Sequence, residues 1–327
     1  MPRPFTIYCL SEAQTPITHA EGVEGNEAVF KRIACYQDGR KSLVPTLTGN
    51  SLRSVMLRRP GMEWLIETAG LAERLTRPEA YFLLAGGAEY EGGGRESMQV
   101  VADLADCCPL AGVLGGCTPG QIFSGSVCVD FGVLVCRENQ SRLRTFLPPG
   151  VDLPDRLRPA AEWMGRHQYY RHDHAGSVSG LFDADSDHQA RAAAFGEWEG
   201  KGKPTVVAET PLKGERRDGK SASMPFAGES IIPGAMFAHR ITLIHPNRLE
   251  AGAVLFSLRL WAAAGARVGG MTARGHGLLG PLFHFDAQYQ GADEEYAAHV
   301  GPRAHRIADW LAAAFRAKKP KKEKAKP

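Results

Sequence analysis

The pattern of apolar and polar positions predicts strands at the start of the chain. Residues 5–10 are rich in β-branched and aromatic side chains, which favours a first strand. A second strand is predicted over 28–36, and Asp38-Gly39 is typical of a hairpin turn that leads into 42–44. The segment 15–27 has two glycines and three glutamates, so we expect a loop there.

Apolar residues at helical spacing predict several short helices over 62–112, with breaks at Gly86-Gly87 and at 92–94. Residues 121–136 favour one long β-element, and a further strand is predicted around 237–243. Asn247 is a suitable N-cap for the next helix, because Glu250 stands three residues later and completes a capping box.

A glycine turn that opens a helix lies at 45–59, PTLTGNSLRSVMLRR. The first amides of a helix have no internal partner and the helix dipole makes that end partly positive, so it can hold a phosphate group. The alternative interpretation is an ordinary capped amphipathic helix with solvated arginines.

A second glycine-rich stretch lies at 265–280, GARVGGMTARGHGLLG. Gly275, Gly277 and Gly280 fit the dinucleotide fingerprint in spacing, but they follow a helix and precede a predicted strand, which is the wrong order. The glycines can instead let backbone amides approach a ligand, with arginine and histidine side chains as further donors. A turn needed only for packing is the alternative.

Composition places the chain among ordinary globular proteins, with 43% hydrophobic and 23% charged residues in 327. Six lysines and one glutamate lie in the last ten residues, so the formal charge of +3 becomes −2 for the rest of the chain. A nucleic-acid site must therefore be a local concentration of cations. The seven cysteines include no C-x-x-C pair, which argues against a disulfide framework and a structural zinc site. Without an apolar run of membrane-spanning length or a signal-peptide pattern, a cytoplasmic protein with no membrane partner is expected.

Two catalytic hypotheses compete with a binding role. His19 with Glu21, Glu24 and Glu27 could supply acid–base groups for RNA cleavage. The segment 167–188 is rich in His and Asp, and could hold a metal, although it has the composition of a loop and lacks the glycine and glutamate of a calcium hand. There is no Walker loop.

The order of these features resembles the RAMP superfamily of CRISPR-associated proteins. That order is a first strand, a G-N-S-L-R motif opening a helix, a large insertion, and a helix leading into a G-G-x-x-x-R-G-x-G loop. Thr18-His19, Gly25-Asn26-Glu27 and the motif at 48–53 resemble the backbone subunit (Cas-seven-like) of type IV CRISPR effector complexes.

The resemblance implies an α+β fold, a modified ferredoxin-like or RNA-recognition-motif core with helical insertions and an extended thumb-like insertion. The first part of the core would span 1–165, the partly flexible thumb 166–228, and the remainder of the core with the glycine loop 229–316. A disordered basic tail would occupy 317–327.

The resemblance also implies RNA contacts in three groups. At the motif and the strands before it, they are Asn26, Arg32, Asn50, Ser51, Arg53 and Arg58. At the roots of the thumb they are Arg166, Tyr169, Tyr170, Arg171, Met224 and Phe226. In the glycine loop they are Arg267, Thr272, Arg274 and His276.

The function implied is non-enzymatic, with no catalytic residue, metal or cofactor: copies of the chain polymerise along a CRISPR guide RNA and hold it for pairing with complementary target DNA. Other type IV effector subunits, and in some systems a DinG-type helicase, are the further partners. Two alternatives remain open, a metal- or acid-dependent ribonuclease of the same superfamily and a protein-interaction scaffold without RNA.

Overall fold

The computed structural model of the chain describes residues 4–24, 27–37, 39–87, 98–119, 121–148, 150–151, 156–172 and 223–315. The chain divides into two compact units, of which one comprises 1–167 together with 228–327 and the other 168–227. The predicted bounds of the thumb, 166–228, stay a prediction, because 173–222 lie outside the described residues. The predicted tail lies outside them too.

Thirteen strands are described. They are β1 (Phe5–Ala13), β2 (Ala20–Glu24), β3 (Glu27–Phe30), β4 (Arg32–Gln37), β5 (Arg40–Leu47), β6 (Gly115–Thr118), β7 (Gln121–Ser124), β8 (Val127–Val129), β9 (Gly132–Leu134), β10 (Met164–His172), β11 (Ser223–Ile231), β12 (Met236–Leu243) and β13 (Leu279–His284).

The described α-helices are short except for one. They are α1 (Gly49–Leu52), α2 (Arg59–Thr68), α3 (Arg77–Ala85), α4 (Met98–Cys107), α5 (Pro109–Leu114), α6 (Gln140–Phe146), α7 (Arg248–Ala263), α8 (Ala292–Val300) and α9 (Arg306–Ala314). A π-helical turn, Arg53–Arg58, joins α1 to α2.

The central sheet has the order β13-β1-β12-β9-β5-β4, and β8 also pairs with β12. Every pair in it is antiparallel. Taking β1, the α1–α2 helix, β9, β12, α7 and β13 in chain order gives β-α-β-β-α-β, and the four strands lie in the order 4-1-3-2 of a ferredoxin-like sheet. The predicted α+β fold with a ferredoxin-like core is confirmed, with β4 and β5 added at one edge.

Helix α7 is the main support of this sheet. Its N-terminus is the capping box that the sequence predicts, since the Asn247 side chain accepts from the Glu250 amide at 2.9 Å and the Glu250 carboxylate accepts from the Asn247 amide at 2.8 Å. From Ala251 to Leu258 every residue is buried, because α8 covers one side and the sheet the other. Gly252 allows the close approach of α8, since a Cβ there would overlap the carbonyl of Ala292.

The segment 15–27, predicted as a loop, contains β2, so that prediction is wrong. Strand β2 pairs with β3 in a second sheet of order β10-β11-β3-β2. The predicted strand 28–36 is divided between this sheet and the central one, with the break at Lys31. The hairpin predicted at Asp38-Gly39 does join β4 to β5, and Gly39 has φ of 75°.

The single β-element predicted over 121–136 is three strands. Strand β7 pairs with β6 in a separate hairpin, whereas β8 and β9 join the central sheet. The chain from 140 to 167 also belongs to the larger unit, and Leu143 and Phe146 pack with Val133 and Ala238.

All seven cysteines are free thiols, and five of them are buried. In the described ranges, no helix combines the length and apolar character needed to cross a bilayer.

Candidate nucleic-acid interface

The predicted phosphate-binding helix end forms as expected in sequence position. Thr48 is the N-cap of α1, and its hydroxyl accepts from the Ser51 amide at 3.4 Å. Asn50 is exposed and Ser51 is half-buried. Gly49 has a packing role, because a Cβ at this position would overlap the carbonyl of Val129 in β8.

A π-helical turn follows directly. Pro60 has no N–H, so it cannot donate to the residue four positions earlier, and the amide of Arg59 instead bonds the carbonyl of Ser54 five positions back. The wider turn places Arg53 and Arg58, five residues apart, on the wall of the same pocket. Such turns are frequent at functional sites.

Arg58 is buried and its guanidinium is used inside the protein. It donates to the carbonyls of Phe82, Leu83 and Gly115 at 3.3, 3.3 and 2.7 Å. Burial, and then the neighbouring Arg53, lower the pKa of Arg58 to about 10. Arg58 therefore holds α3 and β6 against the π-turn, and its predicted contact with RNA stays a prediction.

Arg53 has a different environment. Its side chain is partly exposed, and burial lowers the pKa of its guanidinium. The Nε atom is buried and has no hydrogen-bond partner among the described residues. Arg53 is therefore the cation of this helix that retains donor capacity for a ligand.

The glycine loop differs from expectation in the role of its amides. The amides of Val268, Gly270, Gly275, His276 and Gly277 donate to carbonyls of the protein, at 2.8 to 3.3 Å. These amides are not available to a ligand, so the packing interpretation is correct for them. The loop instead displays side chains, and Thr272 and Arg274 are exposed.

The two basic stretches, 48–58 and 267–276, meet at Thr18 and His19. The Thr18 hydroxyl donates to the Gly270 carbonyl at 2.6 Å, and the Gly270 amide donates to the Thr18 carbonyl at 2.8 Å. The next residue, His19, accepts from the Thr48 amide through Nε2 at 3.2 Å. Because consecutive Cα atoms are about 3.8 Å apart, the glycine loop and the N-cap of α1 are neighbours.

Three imidazoles at this junction report a positive local potential. Burial first, and then Lys31, lower the pKa of His19. Burial and Arg274 also lower the pKa of His276. The His167 pKa is lowered by burial, by His276 and by Arg274, and its ring lies edge-on to the His276 ring at 5.2 Å between centroids.

Two of the predicted RNA-binding arginines are engaged in ion pairs. Arg32 contacts Glu229 at 2.6 Å with both side chains mostly covered, and Arg166 contacts Glu27 at 3.1 Å near the surface. Arg267 is exposed, and its guanidinium donates to the His276 carbonyl at 3.1 Å. Of the proposed cleavage acids, Glu21 pairs with Lys31.

The remaining predicted contacts are not placed at this junction. Asn26 lies outside the described residues. The other five belong to the second unit, with Tyr169, Tyr170 and Arg171 on β10 and Met224 and Phe226 on β11. Their roles stay predictions. In the described ranges no group of three metal-binding side chains occurs, and the His-Asp segment from 173 onward lies outside those ranges.

Sequence reasoning missed the π-turn and the connecting role of Thr18 and His19. Pro60, placed inside a helical pattern, was the signal for the π-turn. No local signal indicates that Thr18 bonds a glycine 252 positions later, because that contact depends on the folded sheet.

Comparison with known proteins gives two structural similarities. No family model matches the chain, and no curated protein matches it. A chain of a structure described as "Type IV-B CRISPR Complex" is 15% identical, with 86% of this chain and 91% of that chain covered and a TM-score of 0.45. Csc2 of Thermofilum pendens is 11% identical, with 96% and 87% covered and a TM-score of 0.37. The first similarity names the same type of CRISPR complex as the motif resemblance.

Proposed function

We propose that this chain is a guide-RNA-binding backbone subunit of a type IV CRISPR effector complex. The observation that carries the proposal is the meeting of the two basic stretches at Thr18 and His19. One stretch opens a helix with Asn50 and Arg53, and the other displays Thr272 and Arg274. A phosphate chain that passes over the junction would find donors from both.

Charge supports a local site. The chain without its lysine-rich end has a slight acidic excess, so the protein as a whole does not attract polyanions. At the junction, in contrast, neighbouring cations depress the pKa of each of the imidazoles of His19, His167 and His276. Within the described part of the chain, neither Arg53 nor Arg267 has a carboxylate partner.

The donors at the junction suit a ligand of variable sequence. Arginine, threonine and asparagine side chains bind phosphate and ribose oxygens, which are the same in every nucleotide. A guide RNA, whose sequence varies while its backbone does not, is such a ligand. Assembly with further copies of the chain, with other type IV subunits and with complementary DNA, in the cytoplasm, follows from the same proposal.

The geometry favours binding over cleavage. Glu21 and Glu27 are held in ion pairs with Lys31 and Arg166, and Nε2 of His19 accepts a backbone hydrogen bond. Those groups are occupied in positioning the chain, whereas an acid–base catalyst needs an available proton site. We therefore propose a non-enzymatic subunit and keep the ribonuclease as the alternative that the experiment must test.

The test is purification of the protein expressed alone and with a guide RNA, followed by measurement of the absorbance ratio and particle mass. A ribonucleoprotein whose copy number grows with RNA length, and whose RNA is lost as salt rises, is expected. A nucleic-acid-free protein would indicate the scaffold alternative. Degradation of added RNA by the purified protein would indicate the ribonuclease.

A further inference from the structure

A basic pocket lies beside the π-turn and extends away from Thr18 and His19. It has a volume of about 570 Å³, and its walls come from the π-turn, the ends of α3 and α5, and the β6–β7 hairpin. The polar side chains in its wall include Asn50, Arg53, Ser54, Arg58 and Ser124. Ile122, Phe123 and Val127 supply apolar surface.

Two guanidinium groups share this pocket without an acidic partner. Arg58 is buried and its three hydrogen bonds all go to neutral carbonyls. Arg53 stands close enough to lower the pKa of Arg58 by charge repulsion. Neither has a carboxylate within ion-pair distance in the described ranges. Two partly desolvated like charges destabilise each other, and a bound anion would remove that repulsion.

The pocket also contains a donor that nothing in the described ranges satisfies. Nε of Arg53 is buried and has no hydrogen-bond partner there. A buried donor without a partner is costly, and such groups commonly mark the place of a ligand or an ordered water molecule. Glycines form much of the opposite wall, among them Gly115, Gly116 and Gly125, which leaves the backbone accessible at close range.

We propose that this pocket binds one nucleoside monophosphate unit, with the phosphate between Arg53 and the rim of the pocket and the base on the apolar wall at Ile122. The inference deepens the proposed function and rests on it for the source of the nucleotide, which is either one nucleotide of the bound RNA or a free nucleotide. The phosphate is the recognised group in both cases. Arg58 contributes its charge from the floor of the pocket, since its donors are already used.

The experiment uses the full chain, stripped of nucleic acid at high salt, and measures the binding of AMP and of adenosine by titration calorimetry. AMP should bind and adenosine should bind much more weakly, because it lacks the phosphate. Arg53→Gln should weaken AMP binding by about tenfold or more. Ser124→Trp, at an exposed position of the pocket wall, should block AMP binding by filling the space.

The matched control is Arg59→Gln, which removes the same charge from the next turn of the same helix. Arg59 is exposed, pairs with Glu63 at 3.9 Å and is not part of the pocket wall. This variant should bind AMP as the wild type does. Equal AMP affinity of wild type and Arg53→Gln, or no AMP binding to the wild type, would overturn the proposal.

A parallel titration with single-stranded RNA separates this inference from the proposed function. If RNA binds and AMP does not, the pocket proposal fails and the proposed function stands. If AMP binds and RNA does not, the pocket takes a free nucleotide and the proposed function fails. If AMP displaces RNA, the pocket holds a nucleotide of the strand, and binding of both without competition assigns it to a free nucleotide.

Discussion

Thr18 and Gly270 exchange two hydrogen bonds, from the threonine hydroxyl to the glycine carbonyl and from the glycine amide to the threonine carbonyl. This pair ties the segment after β1 to the loop after α7. The adjacent His19 ties the same segment to the N-cap of α1. Three parts of the chain that are far apart in sequence therefore depend on two consecutive residues for their relative positions.

Gly269→Ala tests how tightly this joint is packed. Gly269 has φ of 72°, and an added Cβ would overlap the Thr18 carbonyl oxygen. Both the strained backbone and the overlap oppose the alanine, so we expect the free energy of unfolding to fall by about 3 kcal/mol. Urea denaturation provides the measurement.

Gly270→Ala is the control for that change. Its Cβ would meet only the Thr18 hydroxyl, at 3.7 Å, and Gly270 has no positive φ. We expect a loss below about 1 kcal/mol. Equal losses for the two alanine variants would contradict the packing described at Gly269.

Arg58→Met should reveal a structural side chain. The substitution removes the donors to the carbonyls of Phe82, Leu83 and Gly115 in a buried place, so stability should fall by about 3 kcal/mol. Arg59→Met, at an exposed position in the same helix, should cost less than about 0.5 kcal/mol. Thermal denaturation of both variants makes the comparison. An unchanged midpoint for Arg58→Met would refute the structural role.

Arg274→Ala should weaken guide RNA binding by a similar factor for every sequence, because a contact to phosphate carries no sequence information. The dependence of affinity on salt should also become shallower, with the slope reduced by about one. Filter binding with several unrelated RNAs over a range of salt measures both effects. Arg303→Ala, on the turn after α8, is the control and should leave affinity unchanged. A loss that differs strongly between sequences would rule out the phosphate contact.

His239 predicts a loss of stability in mild acid. It is buried in β12 opposite Cys9, and burial lowers its pKa from 6.5 to about 4. Below about pH 6.5 the unfolded chain binds a proton that the folded chain rejects, so stability falls by up to about 1.4 kcal/mol per pH unit until the folded pKa is reached. In His239→Met this contribution is absent. The wild type should therefore lose about 2 kcal/mol more than the variant between about pH 7 and about pH 5 in urea denaturation. Parallel losses in the two proteins would contradict it.

Replacing Glu21, Glu24 and Glu27 together with alanine tests the ribonuclease alternative. A binding subunit has no catalytic glutamate, so the length of the RNA that copurifies should be the same as with the wild type. Gel analysis of the bound RNA gives the answer. Longer RNA on the triple variant than on the wild type would favour acid-dependent cleavage.

The parts of the fold that were predictable from sequence are local. The capping box of Asn247 and Glu250 and the turn at Gly39 each depend on residues within a few positions of one another, and both form as predicted. The order of strand, helix, insertion, helix and glycine loop was also correct. Such features need no knowledge of the tertiary partners.

The errors arise where pairing between distant segments decides the structure. Strand β2 was predicted as a loop because its glycine and glutamates disfavour strands, yet pairing with β3 overrides that preference. Residues 121–136 divide because β7 finds β6 while β8 and β9 find the central sheet. The same reason explains the candidate site. Arg53 and Arg274 were chosen from local motifs, whereas Arg58 could be recognised as structural only once Gly115 was placed beside it.

The position of β1 has a consequence for how the protein is made. This strand lies between β12 and β13, so its partners are both near the other end of the chain. At roughly 5–20 residues per second, a ribosome needs on the order of ten seconds or more to reach β12 after it has made β1. During that time the apolar face with Phe5, Ile7 and Cys9 has no native cover. The nascent chain therefore depends on chaperones or on slow, cool expression to avoid aggregation before its centre can close.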